Sequence, residues 1–144
     1  MTSLIESVRD RINPEGMVAL REETGADDTR IETAITTAIA ALTGSGGERT
    51  LGDAYEDAVR AICVAARLEA VPGRRVLSVV APVLPAAIDA VRQADSLDGP
   101  AMAGYLAREH DRLTAGLPQA AAGIIGEIFK IHPGPFQRFI KKQD

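Results

Sequence analysis

Between Val76 and Val91 the apolar residues fall at Val76, Val79, Val80, Val83, Leu84, Ala87, Ile88 and Val91, stepping by three or four along the chain. On a helix that spacing gathers the side chains on one side; on a strand it scatters them over both. Two further segments repeat the pattern: Ile31, Ala34, Ile35, Ala38, Ile39 and Leu42, then Tyr55, Ala58, Val59, Ile62, Cys63 and Ala66. No run of period two lies between turn signals, so the sequence predicts an all-α fold.

Start and stop signals divide the helices. Ser3-Leu4-Ile5-Glu6 is a capping box, Asn13-Pro14 restarts the chain, and Asp27 or Asp28 caps the segment holding Ile31 to Leu42. Thr50, with Asp53 three residues on, predicts the next start. Pro72 opens the Val76–Val91 helix, and Asp98-Gly99-Pro100 opens another. Pro82 and Pro85 each remove a backbone donor, which predicts a kink or break. Gly44 to Arg49 reads as a flexible loop, and Gly116-Leu117-Pro118 as a boundary. An offset of about 45 residues superposes Ile31, Ala34, Ile35, Ala38 and Ile39 on Val76, Val79, Val80, Val83 and Leu84. Two readings stand: two helix-turn-helix units about a pseudo-symmetric core, or the chance alignment of two amphipathic helices.

The stretch VLSVVAPVLPAAIDAV, followed by DSLDGPAMAGYLA, resembles the C-terminal half of the YidB-like family of small bacterial proteins. There a hydrophobic helix with an LAP-type proline precedes an LDxxGL-like segment that opens another helix. Leu97-Asp98-Gly99 and Ala101 to Leu106 sit where that segment would, and Gly25 to Gly44 is similar to the family's other amphipathic helix. The resemblance spans roughly residues 3–116. It implies an orthogonal array of about six short helices, related in shape to homeodomain-like folds. On that reading residues 1–116 form the domain and 117–144 a C-terminal helical extension. The resemblance carries no catalytic residues. This chain is more charged and less glycine-rich than the family pattern, and it adds the segment after Pro118.

Candidate chemistry is sparse. Of the two histidines, His110 and His132, the first lies in Glu109-His110-Asp111, whose neighbours point about 100° apart on a helix and cannot jointly chelate an ion. That trio reads as a solvated helix face. Cys63 falls on an apolar stripe, as a small buried hydrophobe does. Gly44 to Thr50 lacks the Gly-Lys-Ser/Thr ending of a phosphate cradle. Asp53, Glu56 and Asp57 suit the positive end of a helix dipole. We therefore expect no catalytic residue, no metal site and no cofactor.

The chain's 144 residues suit one domain, and 46% hydrophobic with 25% charged residues is ordinary for a folded protein. Its net charge of −4 argues against affinity built on phosphate neutralisation. One cysteine excludes an intramolecular disulfide and suits a reducing compartment. The N-terminus shows no secretory pattern, and the nearest candidate for a membrane span, Val76–Val91, is short and carries Asp89. These features predict a cytoplasmic protein.

The C-terminal segment differs from the rest. It holds all three phenylalanines, Phe129, Phe136 and Phe139, and four basic residues between Lys130 and Lys142 with no acidic one. Ile124, Ile125, Ile128 and Phe129 share a helical face; Phe136, Phe139 and Ile140 form another, with Arg138, Lys141 and Lys142 on the remaining surface. These helices either fold back on the domain or dock their apolar face on another chain. Membrane-surface attachment is a lesser alternative for so short a segment. The leading expectation is a non-enzymatic interaction or assembly module. Its contacts with a protein partner or a homo-oligomer run through Ile125, Ile128, Phe129, Phe136, Arg138, Phe139, Ile140 and Lys141. The alternative is a helix-turn-helix-like nucleic-acid binder with a basic tail. A third possibility, a small enzyme or ligand-binding bundle, needs a concave pocket with converging polar groups.

Overall fold

Short local devices set several of the helix ends. The Asp27 carboxylate accepts the Arg30 amide at 2.9 Å, and the Asp98 carboxylate accepts the Ala101 amide at 2.9 Å with Pro100 in the first turn. Gly25, at φ +65°, separates the second and third helices. The computed structural model describes residues 4–12, 14–45 and 54–131. Among them the chain is all-α, with seven helices and no strand. They are α1 Leu4–Arg11, α2 Pro14–Thr24, α3 Asp28–Ser45, α4 Tyr55–Ala66, α5 Ala70–Ala94, α6 Gly99–Ala115 and α7 Gln119–Ile131. The starts expected at Ser3, Asn13, Thr50 and Asp53 lie outside the described residues, as does most of the expected loop. Its first two residues, Gly44 and Ser45, belong to α3.

α3 is the spine: it packs against all six other helices. Ile31, Ala34, Ile35, Thr37, Ala38, Ile39, Ala40, Ala41, Leu42 and Thr43 are all buried, so the helix is enclosed nearly all round. The two buried threonines are satisfied locally: Thr37 and Thr43 donate to the Thr33 and Ile39 carbonyls at 2.7 and 2.8 Å. Arg30, at the start of α3, donates to the Ala66 carbonyl at 2.9 Å and to the Arg67 carbonyl. It thereby caps the end of α4, where Arg67 takes a left-handed conformation (φ 57°).

α5 buries one side only, through Gly73, Val76, Leu77, Val80, Leu84, Ala87 and Val91. The expected break does not occur: the helix continues through Pro82 and Pro85. Both prolines are exposed, so the carbonyls of Ser78 and Ala81, which lose their usual donors, stand on the side open to solvent. The helix starts at Ala70, ahead of the predicted Pro72. With 25 residues, α5 is long and apolar enough to cross a membrane by length and composition, which corrects the shorter span expected. Core helices of water-soluble proteins pass the same test.

α7 also corrects an expectation. Ala121, Ile125 and Ile128 are fully buried, and the helix packs against α4 and α3. A division at residue 116 therefore cuts through one continuous core. The three residues Gly116-Leu117-Pro118 connect α6 to α7 within that core.

Candidate functional site

The structure divides the eight predicted partner-binding residues. Ile125 and Ile128 are 0% exposed, committed to the chain's own core and closed to a partner. The physical reason is the spacing of Ala121, Ile125 and Ile128, which gives α7 one apolar stripe that α4 already covers. Phe129 lies on α7, its side chain outside the described set. Phe136, Arg138, Phe139, Ile140 and Lys141 lie outside the described residues.

The titratable side chains are dispersed. His110, expected on a solvated face, is 6% exposed between α6 and α3, with Nδ1 3.0 Å from the Ala40 carbonyl. Burial holds its pKa below the ordinary value, and the Ala40 hydrogen bond and nearby Asp111 oppose that only in part. Its helix neighbour Glu109 pairs with Arg112 at 2.6 Å. Tyr105 is buried on the same helix. Burial and then the Glu109 charge push its hydroxyl up to about 12, against the hydrogen bond from the Leu4 backbone. Cys63 sits between α4 and α5 and donates to the Glu69 carbonyl at 3.3 Å. Burial raises its thiol, the opposite of what a nucleophile needs, and the Arg74 charge offsets this only partly.

The clefts are shallow. One of about 450 Å³ between α1 and α2 is lined by Glu6, Arg9, Asp10, Met17 and Arg21. Another of about 360 Å³ is lined by Glu56, Asp57, Val59, Arg60, Cys63 and Ala70. In the first, Arg9 and Arg21 already pair with Glu32 and Asp28; in the second, Arg60 pairs with Asp57, and Glu56 pairs with Arg74 from outside the lining. His110 and Cys63 lie in different interfaces and share neither cleft. Among the described residues no group of three or more His, Cys, Asp or Glu side chains is placed to hold a metal ion.

The surface that sequence reasoning misses is the outward side of α5. Ser78, Pro82, Pro85 and Ala86 are exposed there, and Val79 and Val83 are half-buried beside them. The signal is present in the spacing of Ser78, Pro82 and Pro85, which steps by four and three opposite the buried stripe. One-dimensional reasoning takes the same prolines for a fault in the helix. Comparison with protein-family models, curated proteins and solved structures returned no match.

Proposed function

We propose that this protein is a non-enzymatic helical interaction module whose C-terminal segment contacts a protein partner or another copy of the chain. The contact residues are Phe136, Arg138, Phe139, Ile140 and Lys141, with Phe129 at the edge of the domain. The observation that carries the reading is α7: Ala121, Ile125 and Ile128 fix it to the core, so the aromatic and basic sequence after it starts from an anchored helix. Aromatic and arginine side chains dominate the energetics of protein contacts, and this chain concentrates its phenylalanines there. The YidB-like resemblance of residues 3–116, an orthogonal arrangement of the helices and a cytoplasmic bacterial setting belong to the same proposal.

The test is a capture experiment with the intact chain and a Phe136→Ala, Phe139→Ala variant, using host extract and free copies of the protein. The variant should keep its melting temperature and lose the captured species. Equal capture by both chains overturns the reading. Binding of random duplex at low salt, lost on neutralising Arg138 and Lys141, would replace it with the nucleic-acid alternative.

A further inference from the structure

The outward side of α5 has no charge between Arg75 and Asp89. Taking Pro82 as the centre and about 100° per residue, Arg75, Ser78, Val79, Pro85, Ala86 and Asp89 all project within about 60° of it. Only 33% of the helix's apolar window is buried within the chain. Val71, one turn before Arg75 on the same side, is 74% exposed. A strip of this kind is open to an occupant, and two features say which.

The first is the symmetry of its charges. Arg75 and Asp89 stand seven positions on either side of Pro82. Two copies of α5 laid antiparallel about a twofold axis at Pro82 bring each Arg75 opposite the other copy's Asp89. The same operation brings Ser78 and Val79 level with the other copy's Ala86 and Pro85, so only uncharged side chains meet between the two ion pairs. A twofold interface must be self-complementary, and this strip is. The second is the backbone. The carbonyls of Ser78 and Ala81 have no donor four residues on, because Pro82 and Pro85 lack an N–H. Lipid hydrocarbon offers no donors to such groups, whereas a protein interface admits water and polar side chains.

We propose that α5 forms an antiparallel interface between two copies of this chain, centred on Pro82 and closed at each end by a reciprocal Arg75–Asp89 ion pair. The small side chains at Ser78, Pro82 and Ala86 let the helix axes approach closely. Within one chain Arg75 pairs with Glu23 at 2.9 Å and Asp89 with Arg92, all about half-exposed. Solvent-exposed pairs of that kind contribute little, so they yield to or join an intermolecular network. The strip is about 21 Å long at 1.5 Å per residue. A single-helix contact of that length belongs with the small, transient class of protein interfaces. This surface is separate from the C-terminal segment.

Sedimentation equilibrium of the full chain over a concentration series tests it. The wild type should show a reversible monomer–dimer equilibrium. Ala86→Glu, at an exposed position, should weaken it by about tenfold or more by placing a carboxylate in the uncharged strip. Ser78→Glu serves as a second variant if Ala86→Glu melts early. Arg75→Glu and Asp89→Arg should each weaken the dimer, and the double variant should restore it. Within one chain the same double variant faces Glu23 with a carboxylate and Arg92 with a guanidinium, so recovery cannot come from the fold. The Phe136→Ala, Phe139→Ala variant should retain a dimer that Ala86→Glu weakens, whether or not its C-terminal contact is lost, which separates this inference from the previous one. A chain that stays monomeric, a dimer indifferent to Ala86→Glu and Ser78→Glu, or a charge swap without recovery overturns the proposal. So does an Ala86-dependent attachment to phosphatidylcholine vesicles by a monomer.

Discussion

α3 and α5 carry the same apolar stripe, offset by 45 residues, yet only one of them is enclosed. Ile31, Ile35 and Ile39 match Val76, Val80 and Leu84, and all six are buried. The opposite sides part company. Thr37, Ala40 and Ala41 of α3 are buried, while their counterparts Pro82, Pro85 and Ala86 on α5 are exposed. The shared stripe decides that each segment is a helix with a core face. The remaining side decides whether neighbours can close over it. On α3 small side chains with satisfied hydroxyls admit close packing on every side; on α5 prolines leave carbonyls that need an external donor.

The strongest way to break this contrast is to place one charge at each matched position. Ala41→Glu should cost about 3–5 kcal/mol or prevent folding, because it buries an unpaired carboxylate. Ala86→Glu should leave monomer stability within about 0.5 kcal/mol, as exposed substitutions do. Urea titration of the two variants checks both, and comparable losses would dissolve the distinction.

The inner side of α5 should prove as tight as α3. A Cβ added at Gly73 would stand 2.6 Å from the Cys63 sulfur and 3.4 Å from a Val59 methyl. Gly73→Ala should therefore destabilise by about 1–3 kcal/mol through overpacking. Cys63→Ala should recover part of that loss in the double variant, a coupling that a mutant cycle reads directly. Additive effects would mean that the sulfur moves aside freely.

The outer side should show the reverse. Pro82→Ala restores a helix donor where the ring faces solvent, and should raise monomer stability by about 1–3 kcal/mol. A loss would show that the proline side supports the monomer fold.

The smallest effect concerns the seal over α3. Burial depresses the pKa of His110, so below the ordinary value near 6.5 the unfolded chain binds a proton that the folded one resists. Stability from this group is thus present above that pH and is lost as the pH falls through the depressed folded value. Urea midpoints between about pH 7.5 and 5.5 should drop for the wild type and drop less for His110→Gln. Equal slopes would place another group in charge of that window.

Much of this architecture was legible because helix periodicity is a local property. The caps at Asp27 and Asp98, the start at Pro14 and the stripes of α3, α4 and α5 need only a few residues of context. What failed depends on distant partners. Glu109-His110-Asp111 looks polar in one dimension, but Ala40 lies seventy residues away and removes the middle residue from water. Ile125 and Ile128 look available until α4 is placed against them. Proline in a helix reads as a break, yet its cost depends on which side of the helix the freed carbonyl faces. The candidate contact residues were legible as composition only, since no local rule distinguishes a face that folds back from one that waits for a partner.

The enclosure of α3 also has a consequence for biosynthesis. The spine is translated early, but α7, which covers part of it together with α4, is translated last of the seven. A nascent chain therefore leaves the parts of α4 and α3 that α7 covers open to water until α7 clears the ribosome, and that interval is when chaperones would matter most to it.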